Sequence, residues 1–333
     1  MGYYFWYDPF AREHGLQKED NHMGYLQDRD RRIAGFEETL ELCRRNRALA
    51  HAIQKTRTGT RCYWYKDGTS RMRQLWSRIK NDRTGLPWIR SWRCQANEDN
   101  ISVTQERSLE AVRHMRRLYP QSRIAVLQFA SGTNPGGGVI RGGVGQEEDL
   151  CRCSILYPCL QAKKVRKQFY NRHRVQGNPC YTDTCLYLPG IIGIREEIPG
   201  GALLSEEEWY TFDVITCAPP NMRMYKWEEE HGTTNVGKQN MENVYNMESD
   251  GIDRGEGQLI ERRVRRIIQT AIRNRVDILV LGAFGCGMYG NSPEIVANAF
   301  KKALNECKYS FRAIVFAIHS ESETNYNVFS VTL

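Results

Sequence analysis

No stretch of this sequence approaches the ~20 consecutive apolar residues that a membrane-spanning helix needs, so no helix is expected to enter a bilayer. The eleven cysteines include no Cys-x-x-Cys pair. Cys151 and Cys153 stand either side of Arg152 with no histidine nearby, and His114, His173 and His319 show no ligand spacing, so no metal is expected. Ser131 and Ser154 have no recognisable triad partners. A Walker A loop is excluded because no Gly-Lys-Ser/Thr follows the Gly-rich stretches, and a dinucleotide fingerprint is excluded by acidic residues where pyrophosphate would sit. No cofactor is therefore expected. The aromatic first ten residues lack the basic start and small-residue cleavage site of a signal peptide. With an odd cysteine count and no export signal, the expectation is reduced, buried thiols in a cytoplasmic protein, nuclear access being left open. Internal repeats and low-complexity tracts are also missing.

What the chain does have is an uneven charge. Its 333 residues can bury one large core or two modest ones. Residues 1–119 hold 23 Lys/Arg against 15 Asp/Glu and account for the whole net charge of +8, whereas residues 120–333 balance at 24 each. Between Arg44 and Arg93 there are 14 basic residues and only Asp67 and Asp82 as acids, interleaved with Tyr63, Trp64, Tyr65, Trp76, Trp88 and Trp92. Cations among stackable rings suit a polyanion carrying bases; a solvated basic face over core aromatics is the alternative. Residues 1–119 are read as an accessory region, mostly helical where it is periodic, packed on a domain of residues 120–333.

Periodicity places the elements. Residues 1–30 show none that convinces. Ile33, Phe36, Leu40 and Cys43 mark one face of a helix running to about Gln54, and short strands such as 61–65 are compatible with the turn-rich 56–103 region. A helix ending before Pro120 delivers the chain to an apolar strand at 124–130. Residues 163–177 read as a basic surface excursion, 185–188 and 191–194 as strands about a Pro-Gly turn, and 212–218 as another strand. The charged 222–256 stretch is read as a lid or a long connection. A helix over 259–272 feeds the strand 277–282; Ser292-Pro293-Glu294 starts the next helix, and 311–318 is the last core strand. Strands alternating with helices from 124 onward predict an α/β sandwich with a parallel or mixed sheet, whose ligands sit beyond the carboxyl ends of the strands.

One loop dominates the chemistry. Asn134-Pro135-Gly136-Gly137-Gly138 leaves the strand at 124–130, and after seven intervening residues Gln146-Glu147-Glu148 opens a helix. Glycine permits positive φ and close approach of backbone to a ligand, and loop amides beside a helix start suit an anion. The glutamates point to chemistry on whatever the loop holds, although adjacent acids at an exposed helix start would also complement its dipole.

The spacing of this loop, with Glu148-Asp149-Leu150-Cys151-Arg152, Val214–Asn221 and Leu279–Asn291 and a fainter echo at Arg32-Ile33-Ala34 and Glu38-Thr39-Leu40, resembles the microbial-type poly(ADP-ribose) glycohydrolases. That resemblance implies a three-layer α/β/α macrodomain-like sandwich with a mixed central sheet. It also implies poly(ADP-ribose) or an ADP-ribosylated macromolecule as the partner and substrate, cut mainly from the chain end to release ADP-ribose. By the same resemblance Glu148 is the acid/base and Glu147 holds ribose. Asn134 contacts ribose, Gly136, Gly137 and Gly138 face the diphosphate, and Gly285 and Gly287 present amides to its other side. Tyr289 packs on the distal ribose, and Gln146 fixes the catalytic turn by hydrogen bonds. Each has a plainer alternative: a turn for the glycines, a turn-forming Asn before Pro for Asn134, a core ring for Tyr289. Phe284 stands where the family often has Trp, and Gln128 where it often has Asn. A hydrolase of mono-ADP-ribosylated protein, nucleic acid or metabolite, and a non-catalytic ADP-ribose reader, are the competing readings; a reader gains nothing from a carboxylate near a diphosphate.

Overall fold

Apolar runs with alternate residues aimed at opposite faces build a seven-stranded sheet in this computed structural model, which describes residues 18–64, 100–198, 201–231, 256–307, 310–319 and 323–333. The strands are β1 (Arg61–Tyr63), β2 (Ile101–Thr104), β3 (Ile124–Phe129), β4 (Cys185–Gly193), β5 (Tyr210–Cys217), β6 (Ile278–Leu281) and β7 (Ala313–Ala317), in the order β1-β4-β5-β3-β6-β7-β2. Neighbours pair in parallel from β5 to β2, while β4 is antiparallel to both β1 and β5. The sheet is mixed, as expected.

Strand geometry divides the core in two. Val126, Leu186, Leu188, Phe212 and Val214 face one layer, built by α1 (Lys18–Arg45), α2 (Arg47–Gly59), α3 (Ser108–Leu118), α4 (Gln146–Cys153) and α5 (Leu156–Leu160) through Phe36, Leu49, Ile53, Val112, Leu150 and Leu156. Ala125, Leu127, Tyr187, Ile215, Leu279 and Leu281 face the other. There, after α6 (Asn171–Gln176) and α7 (Met222–His231), lie α8 (Glu256–Arg273), α9 (Pro293–Asn305) and α10 (Thr324–Thr332). Ile260, Val264, Ile267 and Ile268 of α8 are fully buried, each contributing roughly 1.5–3 kcal/mol. This is the three-layer α/β/α sandwich. The sheet takes β1 and β2 from before residue 119, and the expected boundary at 119/120 falls between α3 and β3.

Several elements differ from expectation, each for a local reason. The helix expected from Arg31 to Gln54 begins earlier and breaks at Asn46, whose side chain caps α2 by accepting from the Ala48 and Leu49 amides at 2.9 and 3.1 Å. The helix expected to open at Gln146-Glu147-Glu148 stops at Cys153 and a second, α5, follows, the two parted at Ser154, which bridges to Gly193. The two strands around Pro189-Gly190 are one, β4, with a register shift between Leu188 and Ile191 and Gly190 at φ 69°. The α9 start is as expected: Ser292 Oγ accepts from the Ile295 amide at 3.3 Å, with Pro293 in the first turn. Most of the basic, aromatic stretch 44–93 and most of the 222–256 connection lie outside the described residues. Among the described residues no helix is long and apolar enough to cross a membrane.

Candidate active site

The loops after β3, β5 and β6 all leave the carboxyl end of the sheet, and backbone contacts draw them together. Ala130 N–H donates to Cys217 O at 3.0 Å, Met222 N–H to Tyr289 O at 2.8 Å, and Asn291 Nδ2 to both Pro220 O at 2.9 Å and Gly285 O at 3.0 Å. The expected convergence of both Gly-rich loops and the 218–221 loop is thus realised.

Gln146 closes the first loop. Its Oε1 accepts from Phe129 N–H at 3.0 Å, and its Nε2 donates to Leu127 O at 2.7 Å and Ser108 Oγ at 3.2 Å. Both ends of the amide are occupied in tying the first residue of α4 to the strand the loop has just left. Gln146 therefore sets the turn, leaving its neighbours to face a ligand.

Those neighbours are two carboxylates in different settings. Glu147 is buried, with Oε1 accepting from Gln128 Nε2 at 3.0 Å and Gly136 N–H at 3.1 Å, and Oε2 from Ser131 N–H at 2.6 Å. Burial, followed by the neighbouring Glu148, pushes its carboxyl well above the ordinary range, against the pull of these donors. Glu148 is half-buried, and its Oε1 accepts from Gly138 N–H at 2.8 Å. Its pKa is also raised, by burial, with the Gly138 amide and the Arg152 charge opposing. Successive helix residues point about 100° apart; nevertheless one oxygen of each glutamate converges on Gly137. A Cβ at Gly137 would press on Glu148 Oε1 and sit 3.1 Å from Glu147 Oε2, and one at Gly145 would lie 2.8 Å from Glu148 Oε2.

The glycine triplet works differently from expectation. The Gly136 and Gly138 amides are turned inward to the glutamates, and the Gly137 amide donates to Asn134 O at 2.9 Å. The amides expected to face a diphosphate therefore hold the carboxylates. Positive φ at Gly136 (76°) and Gly137 (58°) makes this inward turn cheap, and the missing side chains leave the space over the glutamates open. Asn134 is exposed at the mouth of the loop.

In the second loop Gly285 is buried at φ 76°, closed in by Asn291 and Pro219. Gly287 is exposed with nothing within 4 Å of where a Cβ would stand, and Met288 beside it is exposed. Tyr289 is half-buried; its phenol interacts with the side chains of Ser131 and Tyr181, with burial raising its pKa well above the ordinary value. Because Ser131 N–H also holds Glu147, the ring of Tyr289 stands close to the carboxylates.

Several contributors were not singled out from the sequence. Gln128, noted only as a departure from the family pattern, is fully buried: Thr216 Oγ1 donates to its Oε1 at 2.6 Å, which orients its Nε2 onto Glu147. Tyr181 adopts φ 55°, a strained conformation for a residue with a Cβ, and its ring lies 6.5 Å from that of Tyr289. His173 holds the loop through Gly132 O at 3.1 Å and meets Thr182 at 2.8 Å; burial lowers its pKa to about 4 and keeps it neutral. Helix α1 clamps the far side of the loop, with Arg29 Nε on Arg141 O at 3.0 Å, Arg32 Nε on Gly142 O at 2.8 Å and Thr39 Oγ1 on Arg152 O at 2.6 Å. The faint motif echo at Arg32-Ile33-Ala34 and Glu38-Thr39-Leu40 was the available signal for this clamp. No group of His, Cys, Asp and Glu able to hold a metal occurs among the described residues.

Adjacent carboxylates fixed by backbone amides, on a Gly-rich loop at the carboxyl edge of an α/β/α sheet, define a macrodomain-like protein with a glycosidase-type site. Residues 37–196 match the family model described as the microbial-type PARG catalytic domain. The chain is also similar to the crystal structure of poly(ADP-ribose) glycohydrolase from Thermomonospora curvata, at 27% identity and TM-score 0.67 over 91% of this chain and 99% of that one. The same enzyme bound to the inhibitor ADP-HPD gives 26% and 0.66 with the same coverage. The Deinococcus radiodurans enzyme in complex with ADP-ribose gives 27% and 0.62, over 84% of this chain and 96% of that one. The search of curated proteins returned no match. The chain is thus similar to the microbial-type PARG catalytic domain over residues 37–196, and to the solved bacterial poly(ADP-ribose) glycohydrolases over most of its length.

Proposed function

We propose that this protein hydrolyses the ribose–ribose O-glycosidic bonds of poly(ADP-ribose), mainly from the chain end, and releases ADP-ribose. The observation that carries the reading is the pairing of a fully pinned Glu147 with a half-buried Glu148, both reaching the open side of Gly137. Such a bond breaks through an oxocarbenium-like transition state and needs a proton on the leaving oxygen and a base for water. Glu148, whose carboxyl pKa is raised by burial, gives its proton to the leaving ribose oxygen as the C–O bond breaks. The resulting carboxylate then takes a proton from water as that water attacks the anomeric carbon, which returns Glu148 to its starting state. Glu147, held rigid by three N–H donors, accepts from ribose hydroxyls.

Tyr289 caps the distal ribose, Asn134 lines the mouth, and Gly285 and Gly287 offer the diphosphate a loop with open space at Gly287. The Gly136–Gly138 stretch contributes room and fixed carboxylates. A cytoplasmic location is part of the same reading, supported by ten free cysteines among the described residues.

Glu148→Gln tests the assignment. Turnover of poly(ADP-ribose) should fall by roughly 10²–10⁴-fold, with ADP-ribose binding retained by calorimetry. Turnover within a few-fold of wild type would remove Glu148 from the chemistry. Parallel assays on mono-ADP-ribosylated protein decide the substrate class.

A further inference from the structure

The glycosidic site accounts for the loops at the sheet edge but leaves the segment next to them unused. From Gln161 to Thr182 the chain contains no acidic residue and carries Lys163, Lys164, Arg166, Lys167, Arg172 and Arg174. All six are exposed, and among the described residues none pairs with a carboxylate. Two are committed to structure: Lys164 Nζ donates to Thr60 O at 2.9 Å, and the Arg172 guanidinium lies 3.2 Å over the Trp64 ring. Arg174 Nη1 donates to Asn171 Oδ1 at 2.9 Å, within the same segment.

This band adjoins the catalytic loop at two points. His173, within it, holds Gly132 O, and the buried ring of Tyr170 lies within electrostatic reach of Glu147 and Tyr289. At its other end Arg166 acts on the hydroxyl of Tyr157, whose ring packs against Gly136, beside the carboxylates. Lys163 to Arg174 runs through successive helical turns, a length on the order of 15 Å at 1.5 Å per residue. Unpaired surface cations cost self-repulsion unless a polyanion meets them.

We propose that this band binds the diphosphates of the ADP-ribose units still attached to the polymer, next to the cleft that holds the unit being cut. The inference rests on the reading of the protein as a poly(ADP-ribose) hydrolase and names where the rest of the polymer lies. It shifts the polyanion contact from the 44–93 region, where the sequence composition pointed, to the rim of the catalytic loop.

The test is a steady-state comparison on long polymer and on a minimal dimer of ADP-ribose, over a salt series. The variant Lys163→Gln/Arg166→Gln/Lys167→Gln/Arg174→Gln removes the four cations that, among the described residues, make no hydrogen bond or ring contact outside their own segment. Four phosphate contacts at a slope of about 0.7 each correspond to a ~50-fold weakening between about 50 and 200 mM salt. The variant should raise KM for long polymer and lose most of that salt dependence, with kcat, dimer KM and melting temperature unchanged. A second variant, Arg44→Gln/Arg45→Gln/Arg47→Gln/Lys55→Gln, should leave polymer KM as in wild type. An unchanged polymer KM and salt slope in the first variant overturns the inference, as does a loss confined to the second. A wild-type protein that fails to release ADP-ribose from polymer refutes the underlying function, and this inference with it.

Discussion

Replacing Gly137 by Ala separates what the Gly-rich loop does for the fold from what it does for chemistry. At φ 58° an Ala side chain costs about 1–2 kcal/mol in backbone strain alone. Its Cβ would also press on Glu148 Oε1 and lie 3.1 Å from both Glu147 Oε2 and Glu148 Cδ. Glu147 cannot yield, because three N–H donors hold it, so Glu148 must swing away and forfeit its 2.8 Å bond from Gly138 N–H. A displacement of about 1 Å in a reacting group can cost ~10²-fold in rate. The expected result is therefore a kcat lowered by about two orders of magnitude, with a melting temperature reduced by only a few degrees. Gly177 provides the control: it has φ 63° and nothing within 4 Å of its Cβ position. Gly177→Ala should show a similar loss of stability with full activity. ADP-ribose release followed by chromatography, with calorimetric melting of both variants, makes the comparison. A kcat for Gly137→Ala within about threefold of wild type would refute the placement of the glutamates.

Other perturbations probe the supports around the site. Arg29→Ala/Arg32→Ala removes two charge-assisted bonds to the loop carbonyls, each worth about 1.5–3 kcal/mol, and should lower kcat tenfold or more while speeding amide exchange at residues 139–145; unchanged exchange would deny α1 its clamping role. Tyr289→Ala should slow turnover and, by opening the end of the pocket, yield oligomers among early products where wild type yields monomer. Full activity with monomeric product would return that ring to the core. Glu197 caps α3 at the Leu109 and Glu110 amides, and burial raises its carboxyl to about 8. A carboxyl whose folded pKa is raised gives stability that is complete below its unfolded pKa and is lost as pH rises through about 8. At about 1.4 kcal/mol per unit the loss is bounded near 5 kcal/mol. Wild type should thus melt lower at pH 9 than at pH 6, and Glu197→Gln should flatten that difference; parallel melting curves would contradict it.

The sequence by itself determined what repeats within a few residues. Alternating or continuous apolar runs gave β3, β5, β6 and β7, because side chains two apart share a face and burial selects for that period. Ser292-Pro293-Glu294 announced α9, since a cap satisfies amides within its own first turn. The Gly-rich loop and the two glutamates after it are one continuous word, so the site's chemistry was legible there and in its likeness to a known family. Tertiary structure decided whatever joins distant residues. β2 is four residues long and is a strand because β7, some two hundred residues later, pairs with it from Ile101↔Ile314 onward. Asn46 breaks a helix whose apolar spacing continues through it, and its cap is also fixed by Glu206 at 2.6 Å. The glycine amides point at Glu147 and Glu148 because α4 folds back onto β3 through Gln146, a direction that glycine's own freedom leaves unspecified. Gln128 becomes a support for Glu147 once β5 brings Thr216 beside it, and Arg32 reaches Gly142 across 110 residues because α1 lies over the loop. Local patterns record which face of an element is buried, and only the order of strands and the packing of layers decide which other residues that face meets.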